Sequence, residues 1–226
     1  MPNNLNSERA EAEAIRQTRI FFYDLLKSLF VTAPTDAEFE RWQGIFAALA
    51  EQAPTPRLRE AGRNLADMFE RLTRAEIESE YYELFVNPFS PRQLSWNASY
   101  YHDGRNFGRS LVEVRELMRK AELVKEEEYK EPEDSLPVLL DLTARLIELT
   151  DSEERAEEGC RVDIEEAQRR LVNDFLRPLA NGMEVRLVDD PAARCWPLVL
   201  RLLAVWLELD GEYLGALSPE LQDNTV

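Results

Sequence analysis

Catalysis needs a nucleophile with a base, a proton carrier, a metal or a cofactor, and this sequence is poor in all four. His102 is the only histidine. A His-rich metal centre is therefore excluded. A zinc site of mixed ligands is not expected either, because Cys160 and Cys195 form no CxxC pair. No GxGxxG or Walker-type glycine loop offers backbone amides to a phosphate. No GxSxG elbow presents a serine, and the paired ExxH ligands of di-iron bundles are missing. Carboxylates abound, with 44 Asp and Glu. On helical surfaces that many acids produce ExxE and ExxD spacings by chance. No enzymatic activity, no metal and no cofactor are expected.

What remains is chemistry suited to holding a peptide. Tyr81, Leu84 and Phe85 lie at i, i+3 and i+4, so they share one helix face. That spacing serves core packing as well as a binding groove. The proline-bearing segment Asn87 to Ala98 follows, and Phe89, Trp96, Tyr100 and Tyr101 fall in or just after it. Loops run over the surface, so these aromatics either line a groove or pin the loop down. A third segment, Glu131-Pro132-Glu133-Asp134-Ser135, offers carboxylates to a basic group. It also reads as a helix start, where acid is favourable by about 0.3–1 kcal/mol without any function.

Composition narrows the partner. Lys and Arg total 27 against 44 acids, a net charge of −17. Such a surface repels phosphate backbones and anionic lipid, and attracts a basic peptide. Nucleic acid and membrane insertion are not expected. Met1 to Arg19 has no basic start followed by an apolar run, so no signal peptide is read there. The longest apolar stretch, Trp196 to Leu209, is broken by Arg201 and Glu208 and is too short to span a bilayer. Cysteine usage suits a reducing compartment.

The elements that would position these residues are helical throughout. Ile15, Phe22, Leu25, Leu26 and Leu29 form one stripe. Thr35 with Glu38, and Thr73 with Glu76, read as capping boxes, and Thr55-Pro56 as an N-cap followed by a first-turn proline. Helix is expected to resume near Gly104, with Phe107, Leu111, Val114 and Met118 on its stripe. Three more helices follow Pro132. The stripe of the second runs through Cys160, Ile164, Ala167, Leu171 and Phe175. Asn181-Gly182 is read as stopping it and Asp190-Pro191 as starting the third. The expected fold is all-α, a single domain over 1–226 with about eight to ten helices. An N-terminal half (8–124) and a C-terminal half (135–217) flank a charged hinge (125–134), and a polar tail covers 218–226.

In this order and spacing the three segments resemble the TorD/DmsD/NarJ family of redox-enzyme maturation chaperones. Tyr81, Leu84 and Phe85 match its aromatic-x-x-Leu-Phe element, and Pro88, Trp96, Ser99 and Tyr100 match its proline loop. Gly108 matches a small residue at the start of its long helix. Glu131, Pro132 and Asp134 match its Glu-Pro-x-Asp-His element, where Ser135 replaces the histidine. A serine cannot change charge near neutral pH, so any imidazole-dependent role is lost here. The resemblance covers roughly Ile15 to Leu214.

The resemblance implies a cytoplasmic chaperone for the catalytic subunit of a molybdopterin oxidoreductase. It would bind the subunit's twin-arginine signal peptide, its folded body or both until the cofactor is inserted, as a monomer or a domain-swapped dimer. Glu131 and Asp134 would receive the arginines, and Tyr81, Leu84, Phe85 and Trp96 the apolar stretch. The alternative is a helical adaptor or regulatory module that binds another folded protein.

Overall fold

Apolar side chains recurring three and four residues apart each bury one helix face. The computed structural model describes residues 2–125, 130–150 and 164–217, with side chains from Ser7 onward, and it is helical throughout. Helix α1 (Pro2–Val31) buries Phe22, Leu25, Leu26 and Leu29. The Thr35–Glu38 capping box opens α2 (Asp36–Gln52), and Thr55 with Pro56 opens α3 (Pro56–Arg71). The Thr73–Glu76 box opens α4 (Arg74–Tyr81). These starts form as expected because each cap is local: a hydroxyl meets an amide three residues on.

Past α4 the chain widens into a π-helical turn, Tyr82–Val86, closed by Asn87 N–H donating to the Tyr82 carbonyl at 2.8 Å. A loop then leads to a short helix α5 (Ala98–Asp103) and to α6 (Arg109–Lys120). Beyond the connection lie α7 (Leu136–Leu149) and α8 (Ile164–Arg170), a second π-helical segment (Leu171–Leu176), α9 (Arg177–Leu187) and α10 (Trp196–Ala216). Among the described residues no strand forms. The one extended feature is an isolated antiparallel bridge between Asn97 and Ser135. Of the expected hinge, 126–129 lies outside the described residues, as do Cys160 and the tail 218–226.

The two ends of the sequence interlock. Helix α1 packs on α7 and α10, α3 on α10, and α5 on α9. At the centre Arg19 of α1 donates from Nε to Asp210 Oδ1 of α10 at 2.5 Å. Its other arm reaches Gln168 Oε1 of α8 at 2.8 Å, and Tyr23 Oη donates to Asp210 Oδ2 at 2.7 Å. Arg19 also lies over the Tyr213 ring. This is a buried ion pair with every oxygen of Asp210 engaged, the condition under which such a pair is tolerated in a core. Burial and the Asp210 charge push the Tyr23 phenol well above its ordinary range.

Three local expectations fail, the last two for non-local reasons. Helix α6 starts at Arg109, not near Gly104, and Phe107 is exposed with φ 59°. Asn181-Gly182 does not stop a helix but lies inside α9. Gly182 is there because a Cβ would stand 2.3 Å from the Tyr101 ring of α5. Helix α10 starts at Trp196 and not at Asp190-Pro191, because its cap comes from far away. The buried Glu80 of α4 accepts from the backbone N–H groups of Arg194, Cys195 and Trp196 at 2.9–3.2 Å.

Candidate peptide-binding site

The three segments singled out from the sequence meet in space. Helix α4 and its π turn carry Tyr81, Leu84 and Phe85. Phe85 stacks on Trp96 of the following loop, with centroids 5.6 Å apart and planes 9° from parallel. The Trp96 indole N–H donates to Glu131 Oε2 at 3.1 Å. One residue later the loop pairs with the segment before α7. Ala98 N–H donates to the Asp134 carbonyl and Leu136 N–H to the Trp96 carbonyl, both at 2.8 Å. The chain thus sews its proline loop to the Glu131–Ser135 segment by a two-bond seam, with the aromatic stack on one side of it.

Asp134 is fully buried in that seam. Its Oδ2 accepts from Ser99 N–H at 2.9 Å and so caps α5 from another part of the chain. Its Oδ1 has no hydrogen-bond partner among the described residues, nor do Ser99 Oγ, Ser135 Oγ or Asn97 Oδ1. Ser135 sits at the N-cap of α7, yet its hydroxyl makes no capping bond. Gly108, at the N-cap of α6, has its own reason: a Cβ there would stand 2.3 Å from the Asp103 carboxylate. That carboxylate accepts from Ser110 N–H at 2.9 Å, a bond that holds its pKa below the ordinary range.

The exposures divide the motif in two. Tyr81, Leu84, Phe85, Ser99, Gly108, Asp134 and Ser135 are buried, and the Tyr81 hydroxyl donates to the Phe30 carbonyl. Trp96, Glu131 and Pro132 are half-buried, while Pro88 and Tyr100 are exposed. Glu131 is flanked by Lys125, whose Nζ donates to the Glu131 carbonyl. Glu133 is pushed up by burial, but its bond to Arg115 wins and leaves its pKa lowered.

Residues 51–182, more than half of the chain, match the family described as nitrate reductase delta subunit. The chain belongs to this family. The chaperone protein TorD of Aliivibrio salmonicida (strain LFI1238) is 22% identical over 213 residues, covering 91% of this chain and 98% of the relative. TorD of Vibrio atlanticus (strain LGP32) is 24% identical over 216 residues, with the same coverage. TorD of Shewanella loihica (strain ATCC BAA-1088 / PV-4) is 23% identical over 228 residues, covering 94% of this chain and all of the relative. These relatives are named as chaperones and not as catalysts, which supports a non-enzymatic role for this member of the delta-subunit family. No helix among the described residues is long and apolar enough to cross a membrane.

Sequence reasoning missed the buried charged side chains that hold distant helices of this family member together. Arg19 falls four residues after Ile15 and three before Phe22, and Asp210 four after Trp206, each on an apolar stripe. A charge on a buried stripe is the signal that finds such a pair. Glu80 sits next to Tyr81 and gave no comparable signal, since its amide partners lie more than a hundred residues on.

Proposed function

We propose that this protein is a cytoplasmic chaperone for the maturation of a molybdopterin-containing oxidoreductase. It binds the twin-arginine signal segment of the catalytic subunit, its folded body or both, until the cofactor is in place. The observation that carries the reading is the convergence of the three motif segments on one seam, where Phe85, Trp96 and Glu131 follow one another in contact. Buried members of the motif hold the shape, and its accessible members meet the client. Glu131 is the accessible carboxylate, and a guanidinium pairs well with a carboxylate because charge-assisted hydrogen bonds are worth about 1.5–3 kcal/mol each. The net charge of −17 adds long-range attraction for a basic segment.

The test is co-purification of the tagged protein from its native host, with mass spectrometry of what accompanies it. A molybdopterin oxidoreductase subunit is the expected catch. A reproducible folded partner of another class, with no such subunit, would replace this reading with that of a helical adaptor.

A further inference from the structure

The aromatic face chosen from the sequence is turned inward, and its neighbours in the sequence are turned outward. Tyr81 and Phe85 are 4% and 7% exposed, whereas Tyr82 and Val86 are 50% and 47% exposed. The π-helical turn is responsible. It places Tyr82 and Val86 on the outer face while Leu84 and Phe85 enter the core. Such turns inside helices recur at functional sites. Tyr82 and Val86 line a cleft of about 450 Å³ between the C-terminal end of α1 and the outer face of α4, with Ala33, Ala75 and Ser79 in its walls. Phe89, three residues past Val86, is 92% exposed. Its loop is not loose: Phe89 N–H donates to Asn87 Oδ1, Leu94 N–H to the Leu84 carbonyl, and Arg92 pairs with Asp190 at 2.6 Å. Apolar side chains held open on a fixed frame are suited to docking, because little ordering remains to be done on binding.

The charge beside the cleft specifies what docks there. Arg74 is already bracketed by Asp36 at 2.6 Å and Glu78 at 2.5 Å, two accessible carboxylates to one cation. Of these two, Glu78 lines the cleft itself. The rim is therefore acidic, and it attracts cations and repels anions. An empty space of roughly 150 Å³ holds a benzene ring, so a cleft of 450 Å³ takes two or three aliphatic side chains.

We propose that the apolar part of the client's signal segment docks in this α1–α4 cleft on Tyr82 and Val86, where Glu78 in the wall favours a segment of positive charge. This inference rests on the chaperone reading above and relocates its apolar seat away from the Phe85–Trp96 stack. Phe85 is committed to the core, while Tyr82 and Val86 on either side of it stay open.

Fluorescence anisotropy tests it, with a labelled synthetic peptide carrying two adjacent arginines before a leucine–alanine stretch. Val86→Glu and Tyr82→Glu should each weaken binding at least about tenfold, equivalent to roughly 1.4 kcal/mol. Val86→Ile should bind like the parent, and Val86→Ala, which adds no charge to disturb folding, should weaken it about threefold. Unchanged melting temperatures show that these exposed substitutions leave the fold intact. If both glutamate variants bind within about twofold of the parent while Trp96→Ala abolishes binding, the cleft is overturned and the signal-segment reading stands. If the parent binds no such peptide at any ionic strength, both the signal-segment reading and the cleft are overturned, and the co-purified client marks a contact through its folded body.

Discussion

Two aspartates are buried among the described residues, and they are held in opposite ways. Asp210 faces a cation: Arg19, Tyr23 and the edge of Gln168 close a network around it, and both carboxylate oxygens are engaged. Asp134 faces backbone: one oxygen caps α5 at Ser99 and the other has no partner among the described residues. The first is a clamp between α1, α8 and α10. The second holds a seam between the proline loop and α7. A buried charge with a matched countercharge tolerates no removal of one partner alone, whereas a carboxylate held by amide dipoles can lose its charge and keep its geometry.

The largest effect should come from breaking the clamp on one side. Asp210→Asn leaves Arg19 without its countercharge, and urea unfolding should register a loss of about 3–5 kcal/mol. Removing both partners, in Arg19→Met with Asp210→Leu, should recover most of that loss, since a well-packed apolar replacement of a buried pair is often neutral or stabilising by about 1–4 kcal/mol. A double variant as unstable as the single one would mean that the network is held by Gln168 and Tyr23 and not by the ion pair.

Asp134→Asn is the counterpart. Its remaining oxygen still accepts from Ser99, so the expected cost is about 1 kcal/mol or less, against about 1–2 for Asp134→Ala, which removes the cap altogether. The affinity for a twin-arginine peptide should not change, because the side chain is buried. An Asp134→Asn variant as unstable as Asp210→Asn would erase the distinction drawn here. Glu131→Gln should do the reverse. It leaves the melting temperature alone and weakens peptide binding modestly, by about 0.5–1 kcal/mol, with a flatter salt dependence, since an accessible charge pair is screened by salt.

The smallest effect concerns pH, with a surface cap as reference for a carboxylate held by an amide and a hydroxyl. The Thr73 amide and hydroxyl, followed by Arg194, lower the Glu76 pKa from 4.5 to about 2. Its folded value lies below its unfolded one, so its contribution is complete above 4.5 and is lost as the pH falls through about 2. Carbon-detected NMR titration of Glu76 should give a midpoint near that value, and Thr73→Ala should raise it.

How much of this was legible beforehand follows from the reach of each interaction. Capping boxes at Thr35 and Thr73 and the apolar stripes of α1, α3 and α7 act within a few residues, and the sequence displays them directly. The start of α10 was misread because its cap, Glu80, arrives from α4. Gly182 was misread because a glycine that ends a helix and one that admits a neighbouring ring look alike in sequence, and only Tyr101 distinguishes them. The motif segments were found, and the structure brings them together, but which of their faces is open depends on a π turn at Tyr82–Val86 that no periodicity announces. Spacing of i, i+3 and i+4 marks a shared face without saying whether that face looks in or out.

Helix α10 completes two distant sites at once: its first amides receive Glu80, and its Asp210 receives Arg19. On the ribosome α1 and α4 are made long before it. Until α10 emerges, Arg19 has no countercharge, Glu80 has no amides to cap, and the apolar faces of α1 and α3 that α10 covers stand open to the cell. The nascent protein is therefore itself a sticky, half-built chain for most of its synthesis, and long-range closure of this kind folds slowly and late.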